Sequence, residues 1–397
     1  MKIAIFSDNF YPELSGISDS IIGLSNELAK RGHFINFYVP RYSPKNYRVA
    51  GLEPGEIDLG ANITITRFPS LYFGAGTGQG RAVIPTGLSY FKVKKFNPDI
   101  IHSQLFFGVG IEGLLAAKLL GKPFIGTNHT AIKEFLRYAP LHHEWLDDLI
   151  IRYVNWYYSH CLLTTAPSRS VIEEMEHFGF RGECHVISNP IDTVTFQPLA
   201  DKNWLRKKFG FSENTIVHAG RLSPERNIDV IIKALPLIKR KIPSVELVIA
   251  GKGVGEKDLR SLAKSLNVED NVKFLGFLEK PALAEVYNAA KIFVITSTSD
   301  TQSMVMMQAM ACGLPIIGVK ARALPEYINS KNGILIEPGD EKALAKNIIS
   351  LLSNSDKRKR FGAGARIFAN KFSAPEIAKE WEQIYERAIK GYKKSGF

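Results

Sequence analysis

The chain has 397 residues, 45% of them hydrophobic, and a formal net charge of +12 at pH 7. That length predicts two or three domains with substantial cores, and no apolar run approaches the roughly 18–20 uncharged residues of a membrane span. The start, "MKIAIFSDNF", is too short an apolar run for a secretory signal, and the odd, scattered Cys161, Cys184 and Cys312 disfavour a disulfide framework or a zinc site, so a reducing cytosol is expected.

"KIAIF" (2–6) reads as a first strand, and "SDSIIGLSNELAKRG" (18–32) as an amphipathic helix stopped by Gly32. Then come "FINFYV" (34–39), "NITITRF" (62–68), "DIIHS" (99–103), "PFIGT" (123–127), "CLLTTA" (161–166) and "HVIS" (185–188). Most are continuous apolar runs of strand length, as a sheet covered on both faces requires. Strand–helix alternation of this kind predicts an α/β doubly wound parallel sheet. Around "SNPIDTVTFQPLADKNW" (188–204) the periodicity lapses, and a domain boundary is expected there.

The alternation then restarts with "NTIVHAG" (214–220), "VELVIAG" (245–251), "NVKFLG" (271–276), "KIFVIT" (291–296), "PIIGV" (315–319) and "NGILI" (332–336). "SAPEIAKEWEQIYERAIKGYKK" (373–394) reads as one long final helix. The positive charge gathers in this second half. Residues 191–372 carry 28 Lys+Arg against 18 Asp+Glu, whereas residues 1–190 carry 18 against 17. An anionic ligand suits that excess. Nucleic acid or an acidic membrane surface would suit it too, but no zinc-finger spacing, RNP-type aromatic motif or long basic run supports nucleic acid. "DKRKR" (356–360) reads as a solvated helix face.

Ligands of open α/β sheets bind beyond the carboxyl ends of the strands, so chemistry is expected just after the apolar runs. "RLSPERN" puts Arg221 directly after a strand and Arg226 past a Ser-Pro turn. Two guanidiniums there can clamp a diphosphate, although Arg226 could equally pair with Glu225 or Asp229 on a helix surface. "IAGKGVGEKDL" offers Gly251, Gly253 and Gly255 in a spacing unlike the dinucleotide fingerprint. In "STSDTQSMVMMQAMACGLPIIGV" (297–319), Ser299 and Gln302 make a capping box for a helix expected to begin near Asp300. The amides of Gln302, Ser303, Met304 and Val305 would remain free for a ligand oxygen. Met304, Met307 and Ala311 form a core stripe, and Gln308 on a neighbouring face needs partners if buried. In the first half, Gly16 closes "FYPELSG", and its amide can approach an anion. His129 in "GTNHT" and His102 after "PDII" are strand-end histidines, a type more often structural than functional. The adjacent His142 and His143 are poorly placed to share a metal.

Together, "GRLSPERNIDVIIKAL", "LVIAGKG", "VKFLGFL", "AMACGLPIIGV", "YPELSGISDSIIGLSNELAKRGH", "PDIIHSQ", "GTNHT" and "VISNPIDTVTF" resemble the retaining glycosyltransferases of family 4, in order and over nearly the whole chain. The resemblance implies the GT-B fold, two Rossmann-like domains with a cleft between them. Residues 1–190 plus 374–397 would form the acceptor-side domain, the last helix crossing back, and residues 191–373 the nucleotide-sugar-binding domain. It implies that Arg221 and Arg226 hold the donor diphosphate, Arg226 standing where relatives usually have Lys. Gly16 would lend its amide to the phosphate, His129 would lie beside the donor sugar, and Phe277 and Leu278 of "FLGFL" would flank the base. The family's Glu-x7-Glu reads here as Asp300-x7-Gln308, with Asp300 one methylene short at the donor sugar and Gln308 uncharged at the ribose. An amide offers the ribose one acceptor and one donor group where a carboxylate accepts from both hydroxyls, a difference of roughly 1–3 kcal/mol.

The resemblance therefore implies a hexosyltransferase that uses a UDP- or GDP-sugar with retention and needs no metal or other cofactor. The rival expectation is a GT-B protein that binds a sugar nucleotide or a partner chain without efficient turnover, which Gln308 favours. "GTNHTAIKEFLRYAP" and "DTQS" look most like relatives that glycosylate lipids or lipid-linked glycans. The basic Lys92, Lys94 and Lys95 offer a local patch for peripheral contact with an anionic membrane on its cytoplasmic face, or a plain helix surface.

Overall fold

A computed structural model describes residues 1–13, 15–72, 80–130 and 144–394. The chain divides into two compact units, Met1–Pro190 with Ala374–Phe397, and Ile191–Ser373.

The first unit is built on a seven-stranded sheet. Its strands are β1 (Lys2–Phe6), β2 (Phe34–Pro40), β3 (Ile63–Phe68), β6 (Ile100–Ser103), β7 (Phe124–Thr127), β8 (Leu163–Ala166) and β9 (Cys184–Val186). They lie in the order β3-β2-β1-β6-β7-β8-β9, every pair parallel. Strand order therefore reverses between β1 and β6. Ile3, Ile5, Phe37, Ile100, Ile101 and Ile125 are buried because helices cover both faces. A short antiparallel pair, β4 (Leu71–Tyr72) with β5 (Arg81–Ala82), lies outside the sheet. Two-residue strands carry no periodicity, so sequence reading passes over them.

The helix at Gly16–Lys30 starts two residues before its expected position, because Ser15 caps it, the Ser15 hydroxyl accepting from Ser18 N at 3.1 Å. The final helix, Ala374–Lys394, joins this unit. Glu382 ties it to Arg31 (2.5 Å) and His33 (2.7 Å), and Tyr385 reaches His102 (2.8 Å).

The second unit holds a six-stranded parallel sheet: β10 (Asn214–Ala219), β11 (Val245–Ala250), β12 (Val272–Gly276), β13 (Ile292–Ile295), β14 (Ile316–Val319) and β15 (Gly333–Ile336). The order is β12-β11-β10-β13-β14-β15, which reverses between β10 and β13. Ile216, Leu247, Ile249, Phe293 and Ile317 sit at the centre of its core. Each unit is a doubly wound Rossmann-like layer structure, and the place where strand order reverses opens a crevice at the strands' carboxyl ends.

Candidate functional site

In the second unit, the loops following β10, β11 and β12 are laced together by backbone bonds. Gly220 N donates to Ala250 O (2.9 Å), Leu222 N to Lys252 O (3.1 Å), Gly251 N to Gly276 O (2.7 Å) and Gly255 N to Leu222 O (2.9 Å). Gly251 has φ 148°, and a Cβ there would overlap the carbonyl oxygen of Gly220, so only glycine lets these two loops touch. Past Gly220 the chain makes a single 3₁₀ turn, Pro224–Arg226, closed by Asn227 in the left-handed region at φ 49°. Asn227 Nδ2 donates to Thr296 O (3.3 Å) and Thr298 Oγ1 (3.2 Å), while Thr296 Oγ1 donates to Arg226 O (3.0 Å). These bonds clamp the turn across the β10–β13 crevice and aim Arg226 into it.

There Arg226 Nη1 pairs with Asp300 Oδ1 at 2.6 Å and lies 3.3 Å from Ser297 Oγ. Asp229 is not its partner, pairing instead with Lys233 (2.8 Å), while Glu225 accepts from Ser223 Oγ (2.5 Å). The second carboxylate oxygen of Asp300 is buried and accepts no hydrogen bond among the described residues. Arg221 is exposed, with no hydrogen bond or ion pair among the described residues.

The helix after β13 begins later than the sequence suggests. It runs Met304–Ala311 with Ser303 as its cap, Ser303 Oγ accepting from Met306 N at 3.4 Å. Ser299 instead bonds back to Ser297, so the anticipated Ser299–Gln302 capping box does not form. The serine nearest the apolar run wins because the helix can start only where its buried face starts. Met304 and Val305 thus supply the first-turn amides that no helical carbonyl reaches. Gln308 is 6% exposed, and its side chain makes no hydrogen bond among the described residues. Phe277 is exposed and Leu278 half-buried in the loop after β12.

One further side chain enters this crevice. His218, in β10, donates from Nδ1 to Val294 O at 3.0 Å, and burial holds its pKa down to about 4.

In the first unit, His129 follows β7 and is buried, its Nε2 lying 2.8 Å from Gln104 Oε1. An amide oxygen only accepts, so Nε2 carries the proton. Burial lowers the pKa of His129 to about 4, leaving a neutral ring at physiological pH. Its counterpart His102 is absorbed into the core, between Tyr385 (2.8 Å), Thr127 (2.7 Å) and the Trp381 ring, with centroids 4.5 Å apart. Gly16 is the first residue of its helix. The helix after β6, Gly108–Leu120, is already occupied at its amino end by Asp8. That carboxylate accepts from Val109 N (2.8 Å) and Gly110 N (3.3 Å), and burial pushes its pKa up to about 6.

Two family profiles match the chain: "Glycosyltransferase Family 4" over residues 14–195 and "Glycosyl transferases group 1" over residues 201–368. The chain belongs to the family 4 glycosyltransferases. Alpha-monoglucosyldiacylglycerol synthase of Streptococcus pneumoniae is 26% identical over 98% of this chain and 86% of its own. A GDP-mannose-dependent alpha-mannosyltransferase of Mycobacterium tuberculosis is also 26% identical, over 98% and 97%. Among solved structures, Anabaena HepE in complex with UDP superposes with a TM-score of 0.77 at 20% identity, over 97% of this chain and 100% of that one. Sucrose-phosphate synthase of Thermosynechococcus elongatus gives 0.79 at 19%, over 98% and 99%. The fold is GT-B.

Within this glycosyltransferase, Arg221, Arg226, Gly251, Asp300 and the Ser303–Val305 turn all belong to the second unit's strand-end loops. The segment 131–140 of "GTNHTAIKEFLRYAP", together with His142 and His143, lies outside the described residues. Sequence reading missed Gln104, Asn227 and His218. Gln104 and Asn227 act on residues distant in sequence, and His218 hides inside an apolar run.

Proposed function

We propose that this glycosyltransferase moves a hexose from a UDP- or GDP-sugar to an acceptor hydroxyl, with retention of configuration and without a metal ion. The Arg226–Asp300 pair in the second unit's crevice carries this reading. A diphosphate would take the guanidinium, and a sugar hydroxyl would donate to the carboxylate oxygen that lacks a partner. Arg221 and the Met304 and Val305 amides would add positive potential where the leaving diphosphate gains charge. The leaving phosphate itself would accept the proton of the attacking hydroxyl on the same face. Thermal-shift titration with UDP-, GDP- and ADP-sugars, followed by a transfer assay, tests the reading. A raised melting temperature with a UDP- or GDP-sugar is expected, and its absence across the panel overturns the proposal. EDTA or added Mg²⁺ should leave the initial rate within about twofold, and strict metal dependence would refute the cation-and-amide strategy.

The acceptor we propose is a lipid or lipid-linked glycan, met from the cytoplasmic side. The lipid named in the pneumococcal relative's activity supports this. So does the helix Ser89–Phe96, which exposes Phe91 together with Lys92, Lys94 and Lys95, with exposed Leu88 at its cap. Co-sedimentation with anionic but not neutral liposomes is the expected result.

A second reading, sugar-nucleotide binding without efficient turnover, is favoured by Gln308 alone. Gln308→Glu decides between them. In a site built around the amide, donor affinity should change by less than about tenfold, or 1.4 kcal/mol. In a decayed site the same change should raise transfer well beyond tenfold. The modest change is the expected result, since Arg221, Arg226, Asp300 and His129 are all retained.

A further inference from the structure

His218 is 1% exposed, yet it lies at the mouth of the β10–β13 crevice. The two strands pair through Ile216↔Ile292 and Val217↔Phe293. One residue further on, the His218 ring replaces the ladder, stacking on Phe293 at 6.4 Å and bonding Val294 O through Nδ1. A carbonyl only accepts, so the proton sits on Nδ1 and Nε2 presents a lone pair. Nε2 is buried and no group among the described residues donates to it. It lies beneath Gly220, where an added Cβ would come to 3.9 Å, and within electrostatic range of Arg226 and Asp300.

The crevice therefore holds two buried acceptors that receive no hydrogen bond, His218 Nε2 and Asp300 Oδ2. Phosphate oxygens are acceptors too and satisfy neither, whereas hydroxyl groups satisfy both. We propose that His218 is a specificity-determining residue of the donor site, its Nε2 accepting a hydrogen bond from a hydroxyl of the sugar to be transferred. This rests on the nucleotide-sugar reading of the same site. It makes the second unit select the hexose as well as the nucleotide, through a neutral ring whose tautomer is fixed by the sheet.

The test titrates the wild-type protein and His218→Phe with the preferred nucleotide sugar and with the nucleoside diphosphate of the same base. Phenylalanine keeps the stacked ring and removes the acceptor. Affinity for the nucleotide sugar should fall by about tenfold or more, while affinity for the nucleoside diphosphate stays within about twofold. Equal losses for both ligands, or none, overturn the proposal. A second measurement needs no variant. In the wild-type protein, the ¹⁵N resonance of the unprotonated His218 nitrogen, identified through its proximity to Phe293, should move upfield with the nucleotide sugar and stay put with the diphosphate. An unmoved resonance in the sugar-nucleotide complex overturns the inference alone. A wild-type protein that binds no nucleotide sugar overturns both this inference and the function on which it rests.

Discussion

Arg226→Ala should lower kcat/KM by at least about 100-fold and lower the melting temperature as well. Loss of a charge-assisted phosphate contact alone is worth roughly 1.5–3 kcal/mol, or one to two decades. The structure adds a second penalty, because Asp300 is only 8% exposed at its side chain and Arg226 is its ion-pair partner. Without the guanidinium, a nearly buried carboxylate stands uncompensated and repels the incoming diphosphate. Arg226 is itself 24% exposed, so solvent screens part of the pair, and a stability loss of about 1–2 kcal/mol follows, or a few degrees in Tm.

Three companions separate the effects. Arg221→Ala should weaken donor binding with Tm unchanged, since that side chain is exposed and holds no partner among the described residues. Arg226→Ala combined with Asp300→Asn should recover much of the lost Tm and none of the activity. Arg226→Lys, which keeps the charge, should stay within about tenfold of wild type. Steady-state kinetics with thermal unfolding read all four. Wild-type kcat/KM in Arg226→Ala would remove this residue from the donor site.

Legibility in the sequence followed the range of the interaction. Strands buried on both faces, such as "VELVIA" and "KIAIF", announce themselves as uninterrupted apolar runs, and the observed Val245–Ala250 and Lys2–Phe6 match them. Residues following a strand, like Arg221 and His129, are findable because a parallel sheet places its crevice there. What spacing does not encode is the partner. Arg226 looks locally ready for Glu225 or Asp229, yet the 3₁₀ turn and Asn227 point it at Asp300, 74 positions away in sequence. Likewise, His102 and His129 are equivalent in sequence, and only packing against Tyr385 and Trp381 assigns His102 to the core. Gly251 shows the converse. Its position in a G-x-G-x-G string suggests a phosphate turn, but the glycine is needed where two backbones meet.

That assignment makes Gly251→Ala the most damaging single methyl group in the second unit. The residue sits at φ 148°, a backbone conformation that L side chains rarely adopt. The new Cβ would overlap the Gly220 carbonyl oxygen and come to 2.9 Å from its carbonyl carbon. Neither wall can retreat. Gly220 is held by its own bond to Ala250 O, and Gly251 by its bond to Gly276 O. Strain and overlap together should cost about 3 kcal/mol or more, roughly 6–12 °C for a unit of this size. Donor affinity should fall too, because displacing Gly220 displaces Arg221, the next residue. Gly255→Ala is the control. There φ is −79°, and the nearest atom to the added Cβ, Leu222 O, lies at 3.1 Å, so a shift of a few tenths of an ångström accommodates it. Its cost should remain below about 1 kcal/mol, with donor affinity unchanged. If Gly251→Ala melts with wild type, the two loops are not locked together as the structure has them. If it melts early but binds the donor normally, Arg221 does not depend on the lock.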